Sequence, residues 1–411
     1  TLDRSSAASD VYKRQRAPPD ALHDIAIVGA GIAGLTTALC LARAGFRVRV
    51  FERAAAAQPV GAGIQLSPNA LRVMARLGCL EALVARGTLA TAVTLRDGRT
   101  GRTLVDVPVQ AADGTPYLSI HRADLHSVLL DAALADAAIS VSFGHTLTAL
   151  NETEAGVGLR FGADEHVFQL LVAADGVGSA VAADLGFSSP GRSPYAAWRF
   201  LRPAGNGETS GIEAWLDARW HAVTYPVHAG GSRNLVVIAR TDFVAPDDGS
   251  PARLAAALSG RAAPGLLETI NGGTFVGCWP MSAVPAARPY AKGNRIVLVG
   301  DAAHGMLPFA AQGAAMGIED AAVLAACLAD GAPDPLTRYE ALRRPRIARV
   351  LKRVRFHDRV YHLPRPFSLA RDAVMRLTPP ARLAASLSWL YDWAPPELPG
   401  SAFETSQRNA S

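Results

Sequence analysis

The sequence predicts an α/β fold in which a parallel sheet is interrupted by a mostly antiparallel one and followed by C-terminal helices. Three observations predict it. Residues 24–53, DIAIVGAGIAGLTTALCLARAGFRVRVFER, read as strand, glycine turn, helix, glycine stop and strand, which is one βαβ unit. Residues 191–284 change texture: AWRFLRP, IEAWLDARWHAVTYPV, RNLVVIART and TFVGCWP alternate and are rich in Val, Thr and Trp, as half-buried antiparallel strands are. Residues 294–304, NRIVLVGDAAH, then return to a buried apolar strand of the first kind.

Taken in order, residues 1–23 have no Met start, no apolar h-region and no periodicity, so a disordered or non-native lead-in is expected. Asp24 to Val28 is apolar and β-branched, a first strand. Ile32 to Ala44 is helical and ends at Gly45. Phe46 to Phe51 is the second strand and stops at Glu52. HRADLHSVLLDAAL (121–134) reads as a helix, and FQLLVAADGVGS (168–179) as a buried strand ending in Asp175-Gly176. After 331 the chain is helical and broken by prolines. Its basic stretch RRPRIARVLKRVRFHDR (343–359) has helical spacing and is expected to be a solvated face. The resulting division places a first domain at 24–90, 118–190 and 285–330. An inserted β domain takes 91–117 and 191–284, and a helical region 331–411.

Composition narrows the function classes. With 411 residues, 49% hydrophobic and 19% charged, the chain has apolar material for two cores. Its longest apolar runs fall short of a membrane-spanning helix. The net charge of +5 is mild and no aromatic platform or groove-reading motif accompanies it, so nucleic acid is not an expected partner. Cys40, Cys79, Cys278 and Cys327 have no metal or redox spacing, so no metal is expected, and a reducing cytoplasm is the simplest compartment. Cys40, Cys79 and Cys327 sit among apolar residues, as core fillers do.

Two motifs carry the chemistry. Gly29-Ala30-Gly31-Ile32-Ala33-Gly34 is a G-x-G-x-x-G between a strand and a helix. Gly29 permits the turn, Gly31 admits a pyrophosphate, Gly34 permits close packing, and the helix N-terminus stabilises the phosphate charge. Glu52, followed by Arg53, ends the next strand, where a carboxylate accepts bonds from both ribose hydroxyls. This much does not separate NAD from FAD. The late segment RIVLVGDAAHGMLPFAAQGAAMGIEDA does. A strand ending in Gly300-Asp301 offers an acceptor for the hydroxyls of a ribityl chain. Gly313, Ala314 and Ala315 open a helix to which a flavin ring could come close, and Pro308 could lie flat near that ring. A helix N-terminus there favours negative charge on reduced flavin. FAD is the expected cofactor.

With these segments, and with GAGIQLSPNALRVMARLG (61–78), ADGVGS (174–179) and YEALRRPR (339–346), the chain resembles the single-component FAD-dependent aromatic hydroxylases, the group of salicylate, 3-hydroxybenzoate and 6-hydroxynicotinate hydroxylases. The likeness runs from about residue 24 to 395. It implies a Rossmann-like FAD-binding domain of the glutathione-reductase type with an inserted antiparallel substrate domain. It implies NADH or NADPH and O2 as co-substrates, and a flavin 4a-hydroperoxide that hydroxylates a phenolic or hydroxylated heteroaromatic acid. The same fold on a non-aromatic substrate, and a flavin-binding protein without turnover, remain alternatives, as do monomer and homodimer. No second dinucleotide domain is visible, so the nicotinamide is expected to bind transiently between domains.

Residue by residue, the resemblance implies that Arg122 contacts FAD, that Gln65 lies near the flavin, and that Asp175 belongs to a motif serving FAD and nicotinamide nucleotide. Ala182 departs from the arginine usual after that motif. His221 and Tyr225 share one strand face, roughly 13 Å apart, enough to flank one aromatic ring. Relatives carry a His and a Tyr at this spacing in the active site, which makes His221 the expected base and Tyr225 its partner on the substrate. His304, among apolar neighbours, is read as structural.

Overall fold

The structure, a computed structural model, describes residues 24–57, 62–205, 211–246 and 249–397; the expected lead-in at 1–23 lies outside these. A six-stranded sheet runs in the order Ala291–Lys292, Ile296–Leu298, Leu170–Ala173, Ile25–Val28, Val48–Glu52, Ile139–Phe143. It is parallel except at its Ala291–Lys292 edge. Ile25–Val28, Leu170–Ala173 and Ile296–Leu298 are buried at every position, because helices and a second layer cover both faces. Two boundaries differ from expectation. The second strand begins at Val48, and the third ends at Ala173 because Gly176 takes a left-handed conformation (φ 84°) and turns the chain.

Seven further strands form a mixed sheet in the order Thr274–Ala283, Gly191–Pro203, Ser232–Arg240, Trp220–Val227, Ile212–Leu216, Ala92–Asp97, Thr103–Pro108. Its pairings are antiparallel except between Ile212–Leu216 and Ala92–Asp97. Strand alternation splits its faces. Trp198, Trp220, Leu235 and Val237 pack on Leu254, Leu258, Leu266 and Ile270 of the helices Pro251–Leu258 and Pro264–Asn271. The opposite face looks into a cavity. Cys40, Cys79 and Cys327 are buried free thiols, and burial pushes Cys40 up to about 12. Among the described residues no helix is long and apolar enough to cross a membrane.

The helix Gly313–Ala329 lies against Ile32–Arg43 through small residues. A side chain at Gly300 would meet the Ala33 Cβ at 2.9 Å, and one at Gly317 would meet it at 3.1 Å. The long helix Pro335–Tyr361 corrects the expectation for the basic stretch. Arg343 is buried, donating to Glu319 Oε2 at 2.7 Å and Asp320 Oδ1 at 2.6 Å. Arg346 reaches Glu319 Oε1 at 2.7 Å. The cause is that Glu319 and Asp320 are themselves fully buried, and buried carboxylates must be paired. Burial opposes ionisation of Asp320, but His304 and Arg343 outweigh it and hold the carboxyl at about 2.

Removing one partner of such a network leaves a buried charge uncompensated. Arg343→Met is therefore expected to destabilise the protein by ~3–5 kcal/mol. Urea unfolding midpoints measure this, and a loss below ~1 kcal/mol, typical of exposed pairs, would show the network to be peripheral.

Candidate functional site

The glycine-rich turn follows Ile25–Val28. Gly29 has φ 105°, and a side chain there would stand 2.4 Å from the Ala174 carbonyl oxygen. At Gly34 it would stand 1.9 Å from the Gly29 oxygen. These two glycines are demanded by the fold. Gly31 is not: a side chain there would meet no protein atom within 4 Å. The open space faces the N-terminus of Ile32–Arg43, whose first amides are those an anion would take. Ile32 is buried in the core, and Ala33 packs on Gly300 and Gly317, so their side chains build the turn rather than face the open space. Glu52 steadies the loop from below, accepting from Ala30 N–H at 2.8 Å and Ala54 N–H at 2.9 Å. Arg53 beside it is exposed. Asp175 accepts from Val181 N–H through Oδ2 at 3.2 Å, while its buried Oδ1 has no partner among the described residues.

Gly300 (φ 58°) turns the late strand, and its N–H donates to Asp320 at 2.8 Å. Asp301 therefore starts the short helix Asp301–His304 and opens into the cavity. It lies deep in the fold although it faces open space, and burial pushes its carboxyl up, only partly offset by His304 and Arg122. A side chain at Gly313 would point toward Asp301, 3.9 Å from Oδ1. Pro308, Gly313, Ala314, Gln65 and Arg122 line the same cavity. Gln65 accepts from the Tyr117 hydroxyl at 2.9 Å. Ala315 is fully buried, one residue beyond that lining. His304 is buried with Nε2 2.6 Å from Asp320.

The cavity encloses about 690 Å³. One wall is the open face of the seven-stranded sheet: Val93, Leu95, Ile212, Ala214, Val223, Val236 and Ile238. Set among these are Arg199, His221 and Tyr225. The register puts Arg199 opposite Val236 and Val236 opposite Val223, so all three polar groups share the face that carries residues 221, 223 and 225. His221 is buried among Phe309, Tyr361 and His362, with ring centroids 5.0–5.6 Å away. Burial, then the neighbouring His362 and His357, holds its pKa well below the ordinary 6.5, so the ring is neutral at pH 7. Burial pushes the Tyr225 phenol up, so it stays a donor.

Sequence reasoning missed much of the other wall. Arg353, His357 and Tyr361, from the end of Pro335–Tyr361, complete the cavity. His357 bonds the Phe309 carbonyl at 2.8 Å, and burial, reinforced by Arg353, lowers it to about 4. Arg199 and Arg353 each have a buried Nε without an acceptor, and neither has a carboxylate partner among the described residues. Burial lowers both guanidiniums, yet arginine stays charged in proteins. The signal for this wall was the short spacing of His357, Asp358, Tyr361 and His362 within one helical segment.

The comparisons agree with this geometry. The family described as FAD binding domain matches residues 23–354. The 3-amino-4-hydroxybenzoate 2-monooxygenase of Streptomyces cremeus is 37% identical over 380 residues, covering 89% of this chain and 94% of the relative. The 3-hydroxybenzoate 6-hydroxylase of Klebsiella oxytoca is 32% identical over 389 residues, covering 89% and 96%. The chain belongs to the FAD-dependent aromatic hydroxylases. It is a flavoprotein monooxygenase with FAD as cofactor and NAD(P)H and O2 as co-substrates. Its fold is that of Klebsiella pneumoniae HpxO complexed with FAD and uric acid, with a TM-score of 0.79 at 24% identity over 91% of this chain and 97% of the other.

The open space at Gly31, the unpartnered Asp175 oxygen and the Asp301–Gly313 recess fit an extended dinucleotide. Asp301→Ala is expected to weaken FAD binding by ~1.5–3 kcal/mol, one hydrogen bond to a charged group. Gly31→Ala should also lower FAD affinity while leaving the unfolding midpoint of the apoprotein in place, since its Cβ meets no protein atom. Fluorescence titration of apoprotein with FAD measures both, and unchanged affinity in both variants would remove FAD from this part of the fold.

Proposed function

We propose that the enzyme hydroxylates a small hydroxylated aromatic acid, of the 3-amino-4-hydroxybenzoate type, held between the FAD-binding domain and an inserted substrate domain made by the seven-stranded sheet. The observation that supports this most is an apolar sheet face bearing Arg199, His221 and Tyr225 opposite Asp301 and Gly313. FAD would lie along Gly29, Gly31, Gly34, Glu52, Asp175, Asp301 and Gly313. When bound it would supply the redox chemistry, as the acceptor for a hydride from NAD(P)H and the carrier of oxygen from O2 to the ring. A cytoplasmic location suits that supply of reductant.

The chain's own residues bind and activate the acid. The phenol lies at His221 and the carboxylate at Arg199 and Tyr225, which supply a guanidinium lacking an acceptor and a protonated hydroxyl. The separation of roughly 13 Å along the strand leaves room for a para-substituted ring and a hydrogen bond at each end. His221, neutral because it is buried, takes the phenolic proton and so raises the electron density of the ring. The valines and isoleucines around the ring exclude water from the oxygen-transfer step. The two relatives reported above are named for hydroxybenzoate chemistry, which favours an aromatic over a non-aromatic substrate.

Oxygen and NADH consumption with 3-amino-4-hydroxybenzoate, 3-hydroxybenzoate and 6-hydroxynicotinate, with product identification, tests the reading. NADH use that none of them stimulates, with no hydroxylated product, would overturn it. His221→Ala should keep its FAD and lose ~10²–10⁴-fold in product formation, with oxygen diverted to peroxide. Tyr225→Phe should lose only ~0.5–1.5 kcal/mol of substrate binding. Product per NADH decides between them, and an unchanged ratio and rate in His221→Ala would place the base elsewhere. The acid limb of the kcat/KM profile should fall below pH 6.5, since the shift of His221 is downward. Arg199→Met should raise KM for the acid by ~1.5–3 kcal/mol, roughly ten- to a hundredfold, with little change for the analogue lacking the carboxylate. Equal effects on both would assign the carboxylate to another group.

A further inference from the structure

His221 does not end in the protein core. Its Nδ1 lies 2.9 Å from His362 Nε2. On the far side of that ring, His362 Nδ1 lies 3.0 Å from Asp358 Oδ1 and 2.9 Å from the Asp358 carbonyl. The Tyr195 hydroxyl donates to the same carboxylate at 2.6 Å and stacks its ring on His362 at 5.1 Å. Exposure rises along the chain: His221 is 1% exposed, the His362 side chain 7% and the Asp358 side chain 36%.

The partners assign the protons. A carboxylate and a carbonyl only accept, and the Tyr195 oxygen, 3.1 Å from His362 Nδ1, gives its one hydrogen to Asp358, so His362 Nδ1 carries hydrogen and its Nε2 is an acceptor. His221 Nδ1 therefore donates to His362, which leaves His221 Nε2 as the free lone pair. Among the described residues no hydrogen-bond partner takes that nitrogen. Other groups facing the chain are His357 from the same helix, Asp217 from the turn after Ile212–Leu216, and Arg240 at the end of Ser232–Arg240, the last beside both Tyr195 and Asp358.

We propose that His362 and Asp358 are a proton exit for His221, passing the phenolic proton of the substrate from the buried imidazole to solvent. The proposal rests on the reading of His221 as the base. The phenol O–H bond breaks and its proton joins His221 Nε2. The Nδ1 proton of His221 moves to His362 Nε2, the Nδ1 proton of His362 moves to Asp358, and water takes it from there. One proton leaves and no electron moves. Run backwards after oxygen transfer, the chain returns a proton to the product phenolate and restores both tautomers. The need for an exit follows from burial: an imidazole held below its ordinary pKa is a poor place to keep a proton. Asp358 is a transient station rather than a store: its bonds to His362 and Tyr195 outweigh burial and hold its carboxyl below the usual range, so it stands ionised and gives up to water any proton that reaches it. His362 touches no reacting atom in this scheme and is a positioning and relay residue.

The test mixes FAD-loaded enzyme with 3-amino-4-hydroxybenzoate in weakly buffered indicator solution, without NAD(P)H, and follows proton release by stopped flow. Wild type should release a proton as the probe binds. His362→Gln keeps an acceptor for His221 Nδ1 but cannot relay, so release should slow by ~10-fold or more at unchanged FAD content and equilibrium affinity, and added imidazole should restore it. Asp358→Asn should slow release likewise, and it supplies the test if His362→Gln folds poorly. Wild-type release rates in both variants, with His221→Ala releasing nothing, would overturn the exit and leave the base in place. Release at the wild-type rate from His221→Ala, or none from wild type with the probe bound, would overturn the base and the exit together.

Discussion

Glu319 and Asp320 are adjacent, fully buried carboxylates on one helix, and the site is arranged around the need to satisfy them. Asp320 accepts from the Gly300 amide, His304 and Arg343. Glu319 accepts from Arg343, Arg346 and Asn69. Asn69 and Ser67 in turn contact Gln312, which precedes the Gly313–Ala329 helix. Four segments far apart in sequence are thereby held together: 67–69, 300–304, 312–320 and 343–346. Mutual attraction in the interior offsets the desolvation of these ions only when every lone pair is met. The turn at Gly300 that sends Asp301 into the cavity is one of the groups doing so.

The cavity has a different electrostatic logic. Its imidazoles, His221 and His357, are held neutral chiefly by burial, whereas Arg199 and Arg353 have no carboxylate partner among the described residues. Such a wall welcomes an anion and keeps a base deprotonated at the same time. Among the described residues no carboxylate quenches these arginines, and that is the condition under which a bound carboxylate gains most. The apolar strand residues around them lower the local dielectric and strengthen each of these interactions.

Much of this was legible in the chain. The glycine turn, Glu52, the Gly300-Asp301 step and the small residues at 313–315 are local patterns whose geometry follows from backbone rules. Period-2 alternation also put His221, Val223 and Tyr225 on one face, as the register has it. What local rules could not supply was the partner across the gap. The stretch at 343–359 has the spacing of a solvated basic face, and it is one at Lys352 and Arg355, which are exposed. Arg343 departs from it because buried carboxylates stand opposite, a fact with no trace in its own neighbourhood. Part of the small-residue stretch also had a second cause: Gly317 is demanded by Ala33 and Gly300, so close helix packing shaped a segment read only as room for a ring.

By itself, then, the sequence determined the βαβ unit, the chemistry of its turn, the late strand with its carboxylate, and the strand face that bears the imidazole and the phenol. These depend on residues within a few positions of one another, where bond geometry, periodicity and helix-terminus electrostatics act. Tertiary structure alone decided which guanidiniums are quenched and which stay free, and that the end of the long helix closes the cavity. It also decided that His221 donates to His362, leaving Nε2 as its lone pair. Each of those outcomes depends on which groups are brought within hydrogen-bond distance, as His221 and His362 are across 141 residues, and on how much water is removed as they meet. Burial and pairing are properties of the folded contact, so the charge and tautomer of a side chain are settled only when its neighbours arrive.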